Sequence, residues 1–382
     1  HTEETPGEWE EISTTLIEDP KSESVSGEQT ELQVDFPTEV EDTYVTIESE
    51  GQQLEYELVE AEGPAGKVAV STPTVEYEEN KIFHREIFPN VDLRSILFDT
   101  SLKEDIILTE AVDYDTFRFQ IHTDLTGELT ETGGIDWKKG KDIIFQTPAP
   151  VMMDANIDEK SGESAQSLDL DFTLEENETG YLLTLKADAE WLNSPERVYP
   201  IYLDPTTSLP TAADTFVSSA WPAANYDAYF DSNVGYYSLR AGAYDASTGT
   251  QYSYLKQNVD HLKGATIESA TFSIYTAHSY YPTTPTGLWI DAVNANWSPS
   301  TITWNNKPNS TPITSTEVYK EQWANFDVTS TVKQWTAGTK PNYGFKLHTN
   351  GNGKTFWKRF YASENSTNKP HLSVTYSYPT MN

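Results

Sequence analysis

The sequence predicts an all-β protein with two domains. Short segments alternate apolar and polar residues, as in Leu32, Val34 and Phe36, and this period of two is typical of half-buried strands. Turn-forming residues recur at short intervals, and long helical periodicity is absent almost everywhere. The chain of 382 residues is long enough for two or three domains with substantial cores.

The predicted organisation has three parts. Residues 1–31 are acidic and rich in Ser and Thr, which indicates a tail or linker. A β-rich domain follows over 32–205, and a second domain covers 206–382. The boundary lies at 204–211, where two prolines flank Thr and Ser and interrupt any strand. This boundary predicts that residues 206–382 fold and melt cooperatively on their own.

Three local patterns justify individual elements. Alternating apolar residues on either side of the turn at 48–51 predict a hairpin. The period-two arrangement of Ile302 and Trp304 predicts a strand at 301–304. Val328, Val332 and Trp335 recur at helical spacing and predict one short helix packed on a sheet.

Charge and aromatic content differ between the two halves. Residues 1–204 hold 49 acidic and 13 basic residues, whereas 205–382 hold 11 acidic and 12 basic ones. Seven of the ten tryptophans follow residue 210. An acidic first half disfavours nucleic acid as a partner. No apolar run approaches 18 residues, so membrane insertion is not predicted.

Catalytic motifs are absent from the sequence. It contains no nucleophile elbow, no zinc-protease helix motif and no phosphate-binding glycine loop, and the lack of cysteine excludes thiol catalysis. The seven histidines are scattered without metal-ligand spacing. The sequence therefore predicts a protein that is not an enzyme.

Four motifs follow one another in the second domain. They are W-S-P-S-T-I-T-W-N-N-K-P at 297–308, D-V-T-S-T-V-K-Q-W at 327–335, N-Y-G-F at 342–345 and P-H-L-S-V-T-Y at 370–376. Their order resembles the DNRLRE domain, a β-sandwich module of secreted microbial surface proteins. The resemblance covers about 211–376 and implies a jelly-roll sandwich of the carbohydrate-binding type over 206–382.

A second series of motifs precedes it. The segments are I-F-P-N-V-D-L at 87–93, L-K-E-D-I-I-L at 102–108, T-P-A-P-V-M-M-D-A at 147–155 and W-L-N-S-P-E-R-V-Y-P-I-Y-L-D-P at 191–205. They resemble the region before the DNRLRE domain in wall-associated RHS (YD-repeat) proteins of Gram-positive bacteria. This resemblance implies secretion, association with the cell wall and a downstream YD-repeat region as a partner.

Sandwich modules of this sort often hold one structural calcium ion through oxygen ligands. Asp214, at the start of the first strand of the second domain, is the best candidate ligand. Asp227 and Asp231 are weaker ones. Turn capping by these side chains is the alternative, and no other cofactor is predicted.

Aromatic residues in turn-rich segments are candidates for stacking on sugars. The predicted ligand-binding residues are Tyr280, Tyr281, Trp297, Trp323 and, in a predicted hairpin after Gly353, Lys354, Trp357, Lys358, Arg359 and Tyr361. Trp357, Arg359 and Tyr361 share one face of that hairpin. The cations Lys354, Lys358 and Arg359 point instead to anionic wall polymers such as teichoic acid.

Together these observations predict a non-catalytic surface module that attaches a larger protein to cell wall or polysaccharide. One alternative is the binding part of an extracellular polysaccharide-degrading enzyme. Another is a structural spacer without a ligand.

Overall fold

The computed structural model describes residues 2–5, 8–10, 12–19, 23–40, 43–211 and 213–378. Within these ranges nearly all regular structure is β-strand, which confirms the all-β prediction. The α-helices there are α1 (Ala189–Leu192) and α2 (Thr329–Thr336), and two 3-10 turns span Asp260–Leu262 and Gly353–Phe356. No helix in this part of the chain is long and apolar enough to cross a membrane.

The chain forms two compact units. The first comprises residues 1–157 and 164–211, and the second comprises 158–163 and 212–382. The second unit thus includes a six-residue segment, here called the 158–163 segment, that stands outside the predicted module of 206–382.

The strands of the first unit form two large sheets and a separate hairpin. In chain order they are β1 (Thr2–Thr5), β2 (Glu8–Glu10), β3 (Ser13–Asp19), β4 (Ser24–Gln29), β5 (Gln33–Pro37), β6 (Thr43–Ser49), β7 (Gln52–Gly63), β8 (Gly66–Ala69), β9 (Thr74–Glu78), β10 (Lys81–Phe88), β11 (Val91–Leu97), β12 (Ser101–Leu108), β13 (Thr116–His122), β14 (Thr126–Leu129), β15 (Ile135–Lys139), β16 (Asp142–Thr147), β17 (Val151–Ile157), β18 (Ser164–Ser167), β19 (Leu170–Asn177), β20 (Gly180–Ala187), β21 (Ile201–Asp204) and β22 (Thr207–Ser208).

One sheet runs β14-β15-β16-β22-β12-β11-β10-β9, with β17, β18 and β21 attached, and the other runs β19-β20-β13-β7-β6-β5-β4-β3, with β8 attached. Inward residues of both sheets, such as Val45 and Leu93, belong to one apolar core. The hairpin predicted around 48–51 is confirmed as β6 and β7.

The prediction of a tail or linker over residues 1–31 is wrong for 13–29. Strands β3 and β4 pair within the second sheet, and Leu16 and Val25 are buried in the core. Ser, Thr and Glu dominate the other positions of these strands and mask the alternation. Residues 1, 6–7, 11 and 20–22 lie outside the described residues.

The second unit is built from one sheet that curls back on itself. Its strands are β23 (Asp214–Ser218), β24 (Phe230–Asp231), β25 (Tyr236–Ala243), β26 (Thr250–Leu255), β27 (Thr266–Ser279), β28 (Thr286–Val293), β29 (Ser310–Val318), β30 (Gln322–Asp327), β31 (Phe345–His348), β32 (Lys358–Tyr361) and β33 (His371–Ser377). The order is β29-β28-β31-β26-β25-β32-β27-β30, with β23 on β26, β24 on β25 and β33 on β27.

Strand β25 makes the corner between the two layers of this sandwich. Residues 238–241 pair with β32, whereas Gly242 and Ala243 pair with β26. Gly242 has a φ of +113°, and a Cβ atom there would lie 2.8 Å from the Cα atom of Trp357. Only glycine combines this backbone conformation with such a close approach.

The two other local predictions have different outcomes. Helix α2 is confirmed, with Val332 and Trp335 buried. The strand predicted at 301–304 is wrong, because these residues form a turn. The side-chain amide of Asn225 donates to the carbonyl oxygen of Ile302 at 2.8 Å, so the backbone is satisfied without a strand partner.

Candidate functional site

Three neighbouring strands of the second unit, β26, β31 and β28, present ring and cationic side chains on one side. Because side chains alternate across a strand, Leu288, Ile290 and Leu347 face the core and are fully buried. Trp289 and His348, which are cross-strand partners, point the other way and remain partly exposed. Trp304 and Lys307 join them from the segment between β28 and β29. We call this surface the aromatic–lysine face; it consists of Tyr252, Trp289, Trp304, Lys307, Lys346 and His348.

The rings of this face form a continuous series. Tyr252 stacks on Trp304 with ring centroids 4.9 Å apart and planes at 29°. His348 lies between them and Trp289, at 6.1 Å from Tyr252 and 6.3 Å from Trp289. The ring of Trp289 rests over Gly287, where an added Cβ atom would lie 2.4 Å from it. Flat, half-exposed rings in this arrangement suit stacking on the apolar faces of sugar rings.

Two lysines accompany the rings. Lys307 Nζ lies 3.8 Å from the centroid of Trp304, and Lys346 Nζ lies 4.3 Å from that of Tyr252. Burial lowers the pKa of both amines. The charge of Asp291 opposes this effect at Lys346, but its nearest oxygen is 4.0 Å away. Lys307 Nζ donates to the carbonyl oxygen of Trp304 at 2.8 Å, and Lys346 Nζ donates to Ser310 Oγ at 3.3 Å. Each ammonium group has three N–H donors, so each retains donors for oxygen atoms of a ligand.

A polar cluster fixes the centre of the face. Asn350 N–H donates to Nδ1 of His348, so the neutral ring carries its proton on Nε2 and donates to Asp291 Oδ1 at 3.0 Å. Ser310 donates to the other oxygen of Asp291 at 2.7 Å. Burial acts to raise the pKa of Asp291, but these hydrogen bonds and the nearby cations outweigh it and hold the pKa below the usual range.

A second exposed group, here called the tyrosine patch, contains Tyr244, Tyr280, Tyr281 and Lys354. Tyr280 lies 5.1 Å from Tyr281 and 5.8 Å from Tyr244 between ring centroids. Lys354 Nζ lies 4.8 Å from the ring centroid of Tyr244. Of the residues predicted to bind ligand, Tyr280, Tyr281 and Lys354 thus lie together, and the structure adds Tyr244.

Three residues of the predicted hairpin, Trp357, Lys358 and Arg359, do not lie on the surface. All three side chains are buried, so the prediction that they bind ligand directly is wrong. Trp357 Nε1 donates to Gln251 at 3.0 Å, and Lys358 Nζ donates to Thr286 at 2.5 Å. The preceding residues form a 3-10 turn instead of a strand, which shifts these side chains into the interior.

The remaining candidates lie apart from one another. Trp297 is buried and donates to the carbonyl oxygen of Tyr343 at 2.7 Å, which makes it a packing residue. Trp323 is 37% exposed and lies at the edge of Tyr275. Tyr361 is half-buried and stacks on Tyr236 at 4.4 Å.

Arg359 belongs to a buried ion cluster that the sequence did not reveal. It contacts Asp231 at 3.3 Å and donates to the carbonyl oxygen of Gly162. The neighbouring Arg240 pairs with Glu163. The 158–163 segment therefore supplies a carboxylate and a carbonyl group to two buried arginines of the second unit.

The three predicted calcium ligands are buried but do not share one site. Asp231 pairs with Arg359, whereas Asp214 and Asp227 both lie close enough to Glu364 for their charges to act on it. Asp214 Oδ1 and both carboxylate oxygens of Glu364 have no hydrogen-bond partner. Across the described ranges, no group of three or more His, Asp or Glu side chains is arranged to hold a metal ion.

Sequence reasoning missed most of the aromatic–lysine face. The alternation of Leu288, Trp289 and Ile290 was a signal, because it places Trp289 on the side opposite two core residues. Lys346 and His348 alternate in the same way with Phe345 and Leu347. The pairing of β28 with β31 brings these two sets of side chains together, and the sequence did not predict that pairing.

Comparison with known proteins agrees with a binding role for this unit. Residues 205–376 match the sequence model of carbohydrate-binding module family 96. The chain is also 33% identical over 161 residues to the Wall-associated protein of Geobacillus stearothermophilus, an alignment that covers 41% of this chain and 63% of that protein.

Two further relatives align with the whole chain. The identity over 393 residues is 45% to the tRNA3(Ser)-specific nuclease WapA of Bacillus spizizenii and 44% to the tRNA nuclease WapA of Bacillus subtilis (strain 168). Each alignment covers 100% of this chain and 17% of the relative. The chain thus spans about a sixth of the length of these relatives.

These names correct the prediction that the protein is not an enzyme. Relatives that are similar over the whole chain are named as nucleases, so the absence of catalytic motifs was a misleading guide. This chain corresponds to 17% of the length of each relative, so its motifs bear on only that part of those proteins.

Proposed function

We propose that the second unit attaches a larger secreted protein to the cell wall, and that the aromatic–lysine face is where a wall polymer binds. The observation that carries this proposal is the set of three half-exposed rings and two lysines on the aromatic–lysine face. The family match over 205–376 and the name of the Geobacillus relative support a carbohydrate of the cell wall as the ligand.

Two classes of ligand fit the face. The rings of Trp289, Tyr252 and Trp304 would stack on neutral sugars, whose C–H groups are apolar. Lys307 and Lys346 would instead contact the phosphate or carboxylate groups of an anionic polymer such as teichoic acid. The two classes predict different responses to salt, because screening weakens charge attraction more than stacking.

The test is co-sedimentation of the whole chain with purified Gram-positive cell walls. We expect Trp289→Ala to raise the dissociation constant about tenfold, as loss of a stacking contact of about 1.4 kcal/mol would. Tyr376→Ala is the matched control, because Tyr376 is a 43% exposed ring on another strand of the same unit. Equal loss in both variants, or none in Trp289→Ala, would place the binding surface elsewhere.

A second pair of variants separates the ligand classes. If the polymer is anionic, Lys346→Gln should weaken attachment and 0.5 M NaCl should abolish it, whereas the exposed Lys263→Gln should have little effect. If the polymer is neutral, salt should change attachment little and soluble glycan should compete.

The larger protein is proposed by analogy with the relatives. Their names support tRNA nuclease activity for the protein that contains this chain. The finer assignments, a DNRLRE-type module followed by a YD-repeat region in a Gram-positive surface protein, rest on the sequence motifs described above. That nucleic acid is not a partner of these residues stays a prediction.

A further inference from the structure

A pocket of about 330 Å³ opens between the two sheets of the first unit. Tyr44 and Leu58 line it from one sheet, and His84 and Leu93 line it from the other. Residues 69–73, which lead from β8 to β9, form its rim. This unit lies outside the match to the carbohydrate-binding family.

His84 has an unusual position in this pocket. Its side chain is fully buried, yet neither ring nitrogen has a hydrogen-bond partner. The edge of Tyr44 packs against it, with ring centroids 5.7 Å apart. A buried polar atom without a hydrogen-bond partner destabilises the protein. A ligand that supplies the partner would remove this cost, and its binding free energy would be more favourable by that amount. Burial lowers the pKa of His84 to about 4, so the neutral ring offers one donor and one acceptor at pH 7.

The other walls determine the kind of molecule that fits. Leu58, Ile87 and Leu93 are buried and apolar, and the pocket is at the small end of the range for ligand sites. Among the described residues no cation lines the pocket, and the acidic excess of residues 1–204 repels anions. The rim carboxylate of Glu57 is already paired with His122 at 3.0 Å. A charged ligand would lose its hydration without gaining a free counter-ion.

We propose that this pocket binds a small uncharged molecule with an apolar body and one hydroxyl or amide group, which forms a hydrogen bond with His84. The histidine then acts as a specificity-determining residue, and the apolar walls hold the body of the ligand.

The test uses 4-methylphenol as the probe and toluene as its counterpart without a hydroxyl group, both titrated into the whole chain by calorimetry at pH 7. We expect 4-methylphenol to bind about tenfold more tightly than toluene, the effect of one hydrogen bond. His84→Phe keeps the ring size but removes both nitrogens, so the ratio of the two affinities should fall to about one.

A second pair of variants tests whether the two probes bind in this pocket. Ala69→Trp fills the mouth of the pocket from its exposed rim and should abolish binding of both probes. Lys67→Trp, two residues away on the same strand and outside the pocket lining, should retain it. The proposal fails if wild-type chain shows no saturable binding of 4-methylphenol, if His84→Phe preserves the affinity ratio, if Ala69→Trp still binds, or if charged 4-methylbenzoate binds equally well.

Discussion

The carboxylate of Glu163 accepts two hydrogen bonds from the guanidinium of Arg240, one from Nε at 2.6 Å and one from Nη2 at 2.9 Å. Both side chains are buried, and the guanidinium also lies 4.5 Å from the ring centroid of Tyr229. The two residues are 77 positions apart in the chain. Arg240 thus depends for its charge balance on the 158–163 segment.

Removing Glu163 should destabilise the second unit. We expect Glu163→Ala to lower its free energy of unfolding by about 3–5 kcal/mol, because a buried guanidinium loses its partner. Denaturant unfolding followed by tryptophan fluorescence measures this, and Glu317→Ala on the exposed side of β29 is the control. An effect no larger than that of the control would show that the pair contributes little.

The pair of Glu163 and Arg240 also leads us to expect a loss of stability at low pH. Burial acts to raise the pKa of Glu163, but the charges of Arg240 and Arg359 outweigh it, so the folded-state pKa lies below the usual value. The stabilisation is therefore present above the ordinary glutamate range and is lost as the pH falls through the folded-state pKa. Glu163→Gln should flatten the stability curve below about pH 5, where the unfolded carboxylate begins to bind protons.

The fragment 206–382 offers an independent check on the predicted boundary. It lacks Glu163, so we expect it to unfold at lower denaturant concentration than the second unit does in the whole chain. Equal midpoints would indicate that the 158–163 segment adds nothing to stability.

Buried and exposed tryptophans should respond in opposite ways. Trp357→Ala removes a fully buried indole and its hydrogen bond to Gln251, so we expect a loss of about 3–5 kcal/mol in unfolding free energy. Trp289→Ala should lower the unfolding free energy much less and should weaken wall attachment instead. Thermal melts and co-sedimentation of both variants decide the matter; a Trp357→Ala variant with unchanged melting temperature would contradict the burial.

Because Lys358 is buried, we expect the protein to become more stable as the pH rises. Burial lowers its pKa to about 7 in the folded chain, against an ordinary value near 10.4 when unfolded. Between these values the unfolded chain binds more protons, so stability should rise with pH by up to roughly 1.4 kcal/mol per unit. Lys358→Met should abolish this rise and stabilise the protein at pH 6; parallel pH profiles for wild type and variant would refute the assignment.

Calcium is testable at Asp214 and Glu364. Burial raises the pKa of both carboxyl groups, and their mutual charge adds to the effect at Glu364. Without a cation, the contribution of these two carboxyl groups to stability should be greatest in acid and should be lost as the pH rises through their raised pKa values. If the pair holds calcium, 5 mM CaCl₂ should raise the melting temperature at pH 8 but little at pH 5, and Glu364→Gln should remove the gain. Asp327→Asn, at an exposed carboxylate, is the control.

The sequence was most informative where contacts are local. Alternation predicted the hairpin β6–β7, and helical spacing predicted α2, because neighbouring positions decide both. The buried Trp357 donates a hydrogen bond to Gln251, which is 106 positions away. It also follows a 3-10 turn that the local sequence pattern did not predict. Trp289 and Lys346 become one face only through strand pairing, and the partner of a strand cannot be deduced from that strand alone.

The placement of the 158–163 segment also has a consequence for the order of events during synthesis. Glu163 leaves the ribosome before any of residues 212–382, yet its partner Arg240 follows 77 positions later. Strands β18 to β22 of the first unit are made in between. We therefore expect the second unit to mature only after its last strand, β33, has been synthesised, and a product that stops before Arg240 to leave Glu163 without its partner.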